Sequence, residues 1–113
     1  MIKLEKNKIY KIQTKRWMRD YLIFSPQYDV FFNDGDWKVF KVHFVIGFNG
    51  KIYLNKYTSC DKYCTLKELT FQDYEEIRHV IDEYNKVNNI SIKCNRKKNC
   101  LVFDDGIKEG KSI

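Results

Sequence analysis

The strongest constraint on this chain is the run from Asp36 to Ile46, where Phe40, Val42, Phe44 and Ile46 recur at every second position between two turn-forming pairs, Asp34-Gly35 and Asn49-Gly50. Aspartate-glycine and asparagine-glycine tolerate the positive φ angles of the tight turn whose twist matches paired strands. The run therefore reads as a central strand shared by two hairpins. In the first, Phe32 is expected opposite Trp37 and Val30 opposite Val39; in the second, Ile46 opposite Tyr53 and Val42 opposite Tyr57. Side chains alternate along a strand, so the even positions should face one core. Trp37, Val39, Lys41, His43 and Val45 should form a mixed outer face beside Leu54 and Lys56, with His43 a surface residue.

Three further short segments have strand-like length and aromatic or β-branched content: Lys8 to Thr14, Tyr21 to Phe24, and Tyr28 to Phe32. Pro26 cannot donate to a ladder, so a turn or bulge is expected there. Beyond residue 59 the period changes. Thr70 followed by Asp73 suits a helix start, and Phe71, Tyr74, Ile77, Ile81, Tyr84 and Val87 follow at steps of three or four. Asn88-Asn89 should end the helix, and Ile90 to Cys94 with Cys100 to Phe103 should form a last hairpin. The expected fold is α+β: an antiparallel five-stranded meander, open or curled into an SH3-like half-barrel, then one amphipathic helix and a C-terminal β-hairpin.

At 113 residues, 43% of them hydrophobic, the chain suits one domain, expected over residues 1–105 with a frayed tail over 106–113. It lacks the roughly 20-residue apolar run of a membrane span and the apolar stretch of a secretory signal, so a cytoplasmic protein is expected. Alanine is absent and lysine, isoleucine, asparagine, tyrosine and phenylalanine are abundant, the imprint of an AT-rich genome. That imprint weakens the functional meaning of the +6 net charge, because 17 of the 21 basic residues are lysine and only 4 are the arginine that nucleic-acid recognition favours. Charge is nonetheless blocked: residues 1–19 sum to +6 and residues 68–85, the predicted helix, to −5.

The segment Lys15-Arg16-Trp17-Met18-Arg19 concentrates half of the arginines beside a tryptophan, a combination that grips phosphate and stacks on bases or anchors a protein interface. The competing reading buries Trp17 at one end of the core. Arg96, Lys97 and Lys98 form a basic hairpin tip, and Lys41, His43 and Lys56 extend the basic contact set over the central strands. Cys60 and Cys64, with Cys94 and Cys100, make two pairs that a structural zinc ion would need to have brought together. The gaps differ from usual zinc spacing, although Cys94 and Cys100 are expected on one face. Free thiols, zinc and a disulfide within either pair stay open, and no other cofactor is expected.

Catalysis has little support. His43 and His79 have no nucleophile or carboxylate neighbour in catalytic spacing, and Asp34, Asp36 and Lys38 are explained by the turn they flank. Small size, AT-rich composition and dense aromatic content set the expectation of a non-enzymatic accessory protein of a phage or mobile element. It would bind and block a host protein or ribonucleoprotein, as anti-defence inhibitors do. The alternatives are a basic nucleic-acid-binding module, a small zinc-binding adaptor, and a homodimer through an unpaired edge strand.

Overall fold

The predicted strand forms over Trp37–Ile46, and Phe40, Val42, Phe44 and Ile46 are buried, yet they serve two cores instead of one. The computed structural model describes residues 2–13, 21–33, 35–47, 49–61 and 64–103. In chain order its elements are β1 (Ile2–Leu4), β2 (Tyr10–Gln13), β3 (Tyr21–Pro26), β4 (Val30–Phe32), β5 (Trp37–Ile46), β6 (Ile52–Asp61), β7 (Thr65–Lys67), α1 (Phe71–Asn88), β8 (Ile92–Asn95) and β9 (Cys100–Phe103). A five-stranded antiparallel sheet runs in the order β6-β5-β3-β2-β7, while β1 pairs with β4 and β8 with β9. The architecture is α+β.

Adjacent residues of β3 point to opposite faces and so separate the cores. Ile23 packs with Phe44, Ile46, Ile77, Ile81 and Leu101 under the helix and the last hairpin. Phe24 packs with Leu4, Ile12, Val30, Phe32, Phe40 and Val42 beneath the β1–β4 ribbon. The exchange of faces along β5 occurs at His43. On one side Ser25 lies opposite Phe44 and Pro26 opposite Val42, so His43 is an extra residue in the ladder. On the other side Val42 pairs with Lys56 and Phe44 with Leu54, and the intervening Asn55 has a left-handed φ of 51°. One inserted residue reverses the alternation beyond it. Pro26, with no N–H to contribute, sits where the pairing slips.

A polar network at the sheet edge, partly open to solvent, holds this irregularity. The Tyr84 hydroxyl donates to Asn55 Oδ1 at 2.9 Å, Gln27 Nε2 donates to the same oxygen at 3.0 Å and also to the Val42 carbonyl, and Asn55 Nδ2 donates to Asn88 Oδ1. Asparagine tolerates the left-handed region better than most residues, and here its amide also ties the sheet edge to the second half of α1.

The two turns form, but they join different partners from those expected. Asp36 N–H donates to the Asn33 carbonyl and Gly35 has φ +77°, yet β4 leaves to pair with β1, and β3 takes its place beside β5. Burial of Val30 and Phe32 against Leu4 accounts for that choice. At the second turn Gly50, φ +79°, donates to the Gly47 carbonyl, and Gly47 N–H donates to the Lys51 carbonyl. This loop is one residue longer than a two-residue turn, so Ile46 faces Ile52 and Val42 faces Lys56 instead of Tyr53 and Tyr57.

The helix starts and stops as expected. Thr70 Oγ1 accepts from Asp73 N–H and the Asp73 carboxylate accepts from Thr70 N–H, a reciprocal cap; Asn89, φ 53°, closes the other end. The Asp73 carboxylate also receives Lys11 Nζ at 2.7 Å, which fastens the first turn of α1 to β2. Burial opposes its charge, but Lys11 and Thr70 prevail and hold it below the usual aspartate range. At the far end Asn85 exchanges two hydrogen bonds with the Ile92 backbone, imitating a strand partner and seating β8 against the helix. Ile77, Val80, Ile81 and Tyr84 face the core. Phe71 and Val87, expected in the same stripe, are exposed; at 100° per residue Phe71 stands roughly a third of a turn from Ile77.

Two stability predictions follow from the bulge. Replacing Asn55 with glycine keeps the backbone conformation and removes the side-chain bonds, whereas alanine loses both; urea unfolding should show N55A destabilised by about 2–3 kcal/mol and N55G by clearly less. Ser25 Oγ is fully buried with no hydrogen-bond partner among the described residues, so S25A should raise stability by about 1 kcal/mol.

Candidate functional site

Two surfaces present aromatic and basic side chains together. The first lies on the half of β5 and β6 before the bulge, where Phe40 and Val42 fill the core and no described element covers the opposite face. Cross-strand pairing sets Trp37 against Asp61, Val39 against Ser59 and Lys41 against Tyr57. Trp37, Val39 and Tyr57 are 64%, 54% and 66% exposed, a contiguous apolar row in a position that paired strands hold rigid. Lys41 is half-buried, its N–H donating to the Tyr28 hydroxyl; Lys56, opposite Val42, is exposed at the sheet edge.

The second surface lies where the first half of α1 meets the last hairpin. The guanidinium of Arg96 lies 4.6 Å from the centre of the Tyr74 ring and 5.5 Å from that of Phe71. The Tyr74 hydroxyl donates to the Arg96 carbonyl and to Asn99 Oδ1, which fixes the hairpin tip beneath the guanidinium. Lys97 and Lys98 are exposed on the same tip, with Lys98 N–H donating to Asn95 Oδ1. Three concave surfaces meet at Arg96, the one between α1 and β8 enclosing about 360 Å³.

Sequence reasoning included Arg96, Lys97 and Lys98 as basic residues and placed Phe71 and Tyr74 in the core stripe; Tyr74 does pack against the core beneath the helix, Phe71 is exposed, and their joint contact with Arg96 was missed. The signal was available in part: Phe71 is the first helical residue, and a side chain there has no preceding turn to cover it. Lys15, Arg16, Trp17 and Arg19 lie outside the described residues, as does the expected tail from 106.

The cysteines do not gather. Cys60 is buried in the core beneath the β1–β4 ribbon with Cys64 beside it, whereas Cys94 packs against the core beneath the helix. Cys94 lies opposite Leu101 and Cys100 opposite Asn95, so the two occupy alternate faces of their hairpin, correcting the expectation that they share one. All four are free thiols, and burial pushes Cys60 up to about 12 and raises Cys64 and Cys94. Among the described residues no three His, Cys, Asp or Glu side chains form a group able to hold a metal ion. The open edges of the main sheet are β6 and β7, not the first and last strands, and the left-handed Asn55 with Lys56 interrupts the longer one.

His43 is the clearest correction. It is 8% exposed, because the bulge turns it inward against Tyr84 and Phe103. Its Nε2–H donates to Asn7 Oδ1 at 2.8 Å, and Nδ1 lies 3.5 Å from the Tyr84 hydroxyl. Burial, reinforced by the charge of Lys6, lowers the imidazole from 6.5 to about 4. The folded state therefore holds neutral histidine and the unfolded state binds the proton more readily. The resulting stability is fully present above pH 6.5 and falls as pH drops from 6.5 towards 4, by on the order of 3 kcal/mol at most. Urea midpoints measured between pH 7 and pH 4 should fall in the native chain and vary much less in H43N. Comparison of the chain with protein-family models, curated protein sequences and solved structures returns no match.

Proposed function

We propose that this protein is a non-enzymatic binding protein that acts by covering a surface of a partner protein or ribonucleoprotein. The observation that carries the reading is the exposed row Trp37, Val39 and Tyr57 on a strand pair whose reverse side is core. Large aromatic side chains held on a rigid sheet lose little entropy on binding and are the residues on which interface energy concentrates. Lys41, paired with Tyr57, flanks the row and favours an acidic rim on the partner, whereas Lys56 pairs with Val42 and so projects from the reverse face of the sheet, away from the row. Blocking by occlusion requires no catalytic group, and the two histidines support none: His43 is locked in the core, and His79 stands exposed on the helix.

The test is affinity capture from lysate of the source cells, with and without nuclease, using the native chain and the W37S/Y57S double variant. Both substitutions lie on the surface, so the variant should melt with the native chain to within about 1 kcal/mol. A stoichiometric protein retained after nuclease and lost, by tenfold or more, with the variant is the expected result. Retention of nuclease-sensitive material alone would replace this reading with direct nucleic-acid binding, which should also weaken steeply with salt. A partner held equally well by the double variant would move the contact elsewhere.

A further inference from the structure

We propose that the groove between α1 and β8 is a second docking site, and that its occupant is an extended segment of a partner protein presenting a carboxylate beside an apolar side chain. The inference rests on the reading of the chain as a binding protein, but not on the sheet face. The chain has four arginines; the two that are described, Arg78 and Arg96, both line this groove. Arg78 is already paired with Glu75 at 2.9 Å. Arg96 has no carboxylate partner among the described residues, although Glu75 and Asp82 line the same groove.

Arg96 is instead spread over Tyr74 and Phe71, with its backbone held by the Tyr74 hydroxyl. A guanidinium stacked on aromatic rings keeps its N–H edges free, and its planar fork matches a carboxylate in a bidentate pair. Phe71 is 66% exposed, an aromatic side chain at the lip of the groove with most of its surface open beside Arg96. Below Arg96 the wall formed by Ile81, Ile92 and Cys94 is apolar and suits an aliphatic or aromatic side chain, in a volume typical of ligand clefts. Because three concavities meet at Arg96, an occupant that pairs with it continues past the tip along Lys97 instead of ending in one pit. That geometry fits an extended chain.

Charge decides between peptide and nucleic acid. The groove is bordered by Glu75 and Asp82 on the acidic helix, and the adjoining concavity by Glu68, which precedes the helix. A continuous polyanion laid across the groove would place phosphates beside these carboxylates, whereas a peptide can direct one carboxylate to Arg96 and leave the acidic border facing neutral or basic positions.

The probe is a displayed library of random dodecapeptides, selected separately on the native protein and on W37S/Y57S, which leaves the groove intact. Peptides recovered on both should share an Asp or Glu within a few residues of Leu, Phe or Trp. Their affinity, read by fluorescence anisotropy, should fall at least tenfold in R96A and also in R96K, which keeps the charge and the stem over the rings but lacks the fork. Native-like melting of R96K would show that the loss is not unfolding. The proposal is overturned if no peptide is enriched on the double variant, if the consensus lacks an acid, if R96K binds as the native chain does, or if oligo(dT) displaces the peptides and binds more tightly. Failure of the sheet-face reading would leave these results unchanged, so the two can fall separately.

Discussion

The whole arrangement depends on one extra residue in β5 and on the side chains that tolerate it. Without His43 in the ladder the strand would keep one face inward along its length, and the helix and the β1–β4 ribbon would compete for the same apolar surface. With it, the half containing Phe40 and Val42 serves one core and the half containing Phe44 and Ile46 the other. A bulge strains pairing on both sides, and the strain is met by groups that give up little: proline on β3, and on β6 an asparagine in the left-handed region whose amide is bonded to Tyr84, Gln27 and Asn88. The cost is a neutral, buried histidine and a Ser25 hydroxyl with no partner among the described residues.

The same device creates the exposed row. Once the faces exchange, the helix can cover only the far half of the sheet, and Trp37, Val39 and Tyr57 on the near half stay exposed, with no described element packed over them. An apolar row left bare on a monomer signals a contact surface more often than a scattered hydrophobic residue does. The helix–hairpin groove arises separately, from the Asn85–Ile92 bonds that seat β8 against α1 and from the cap that brings Phe71 to the surface beside Arg96. The two surfaces differ in chemistry: one is flat, aromatic and rigid, the other concave with a fixed cation.

Local signals were legible wherever a few neighbouring residues decide the outcome. The Thr70/Asp73 cap, the Asn89 stop, the last hairpin and both glycine turns can be read from sequence because each depends on backbone conformation within four or five residues. Pairing was less legible. Nothing in Val30-Phe31-Phe32 says that it joins Ile2–Leu4 instead of β5, because that choice depends on the volume of a core assembled from the whole chain. The second hairpin was displaced by one residue for a similar reason: the Gly47–Lys51 closure and the bulge together set the register. The groove was half legible, since Arg96 stood out as a charge, but Phe71 looked like core until the helix had a fixed rotation.

By itself, then, the sequence determined an α+β chain, the positions of its turns and the capped helix α1, because propensity, capping and period are properties of short segments. Tertiary structure alone decided which face of β5 is inside at each end, that His43 is buried, that Cys94 and Cys100 point apart, and that Phe71 and Tyr74 carry Arg96. These follow from packing between segments distant in sequence, where one added residue reverses every side chain beyond it.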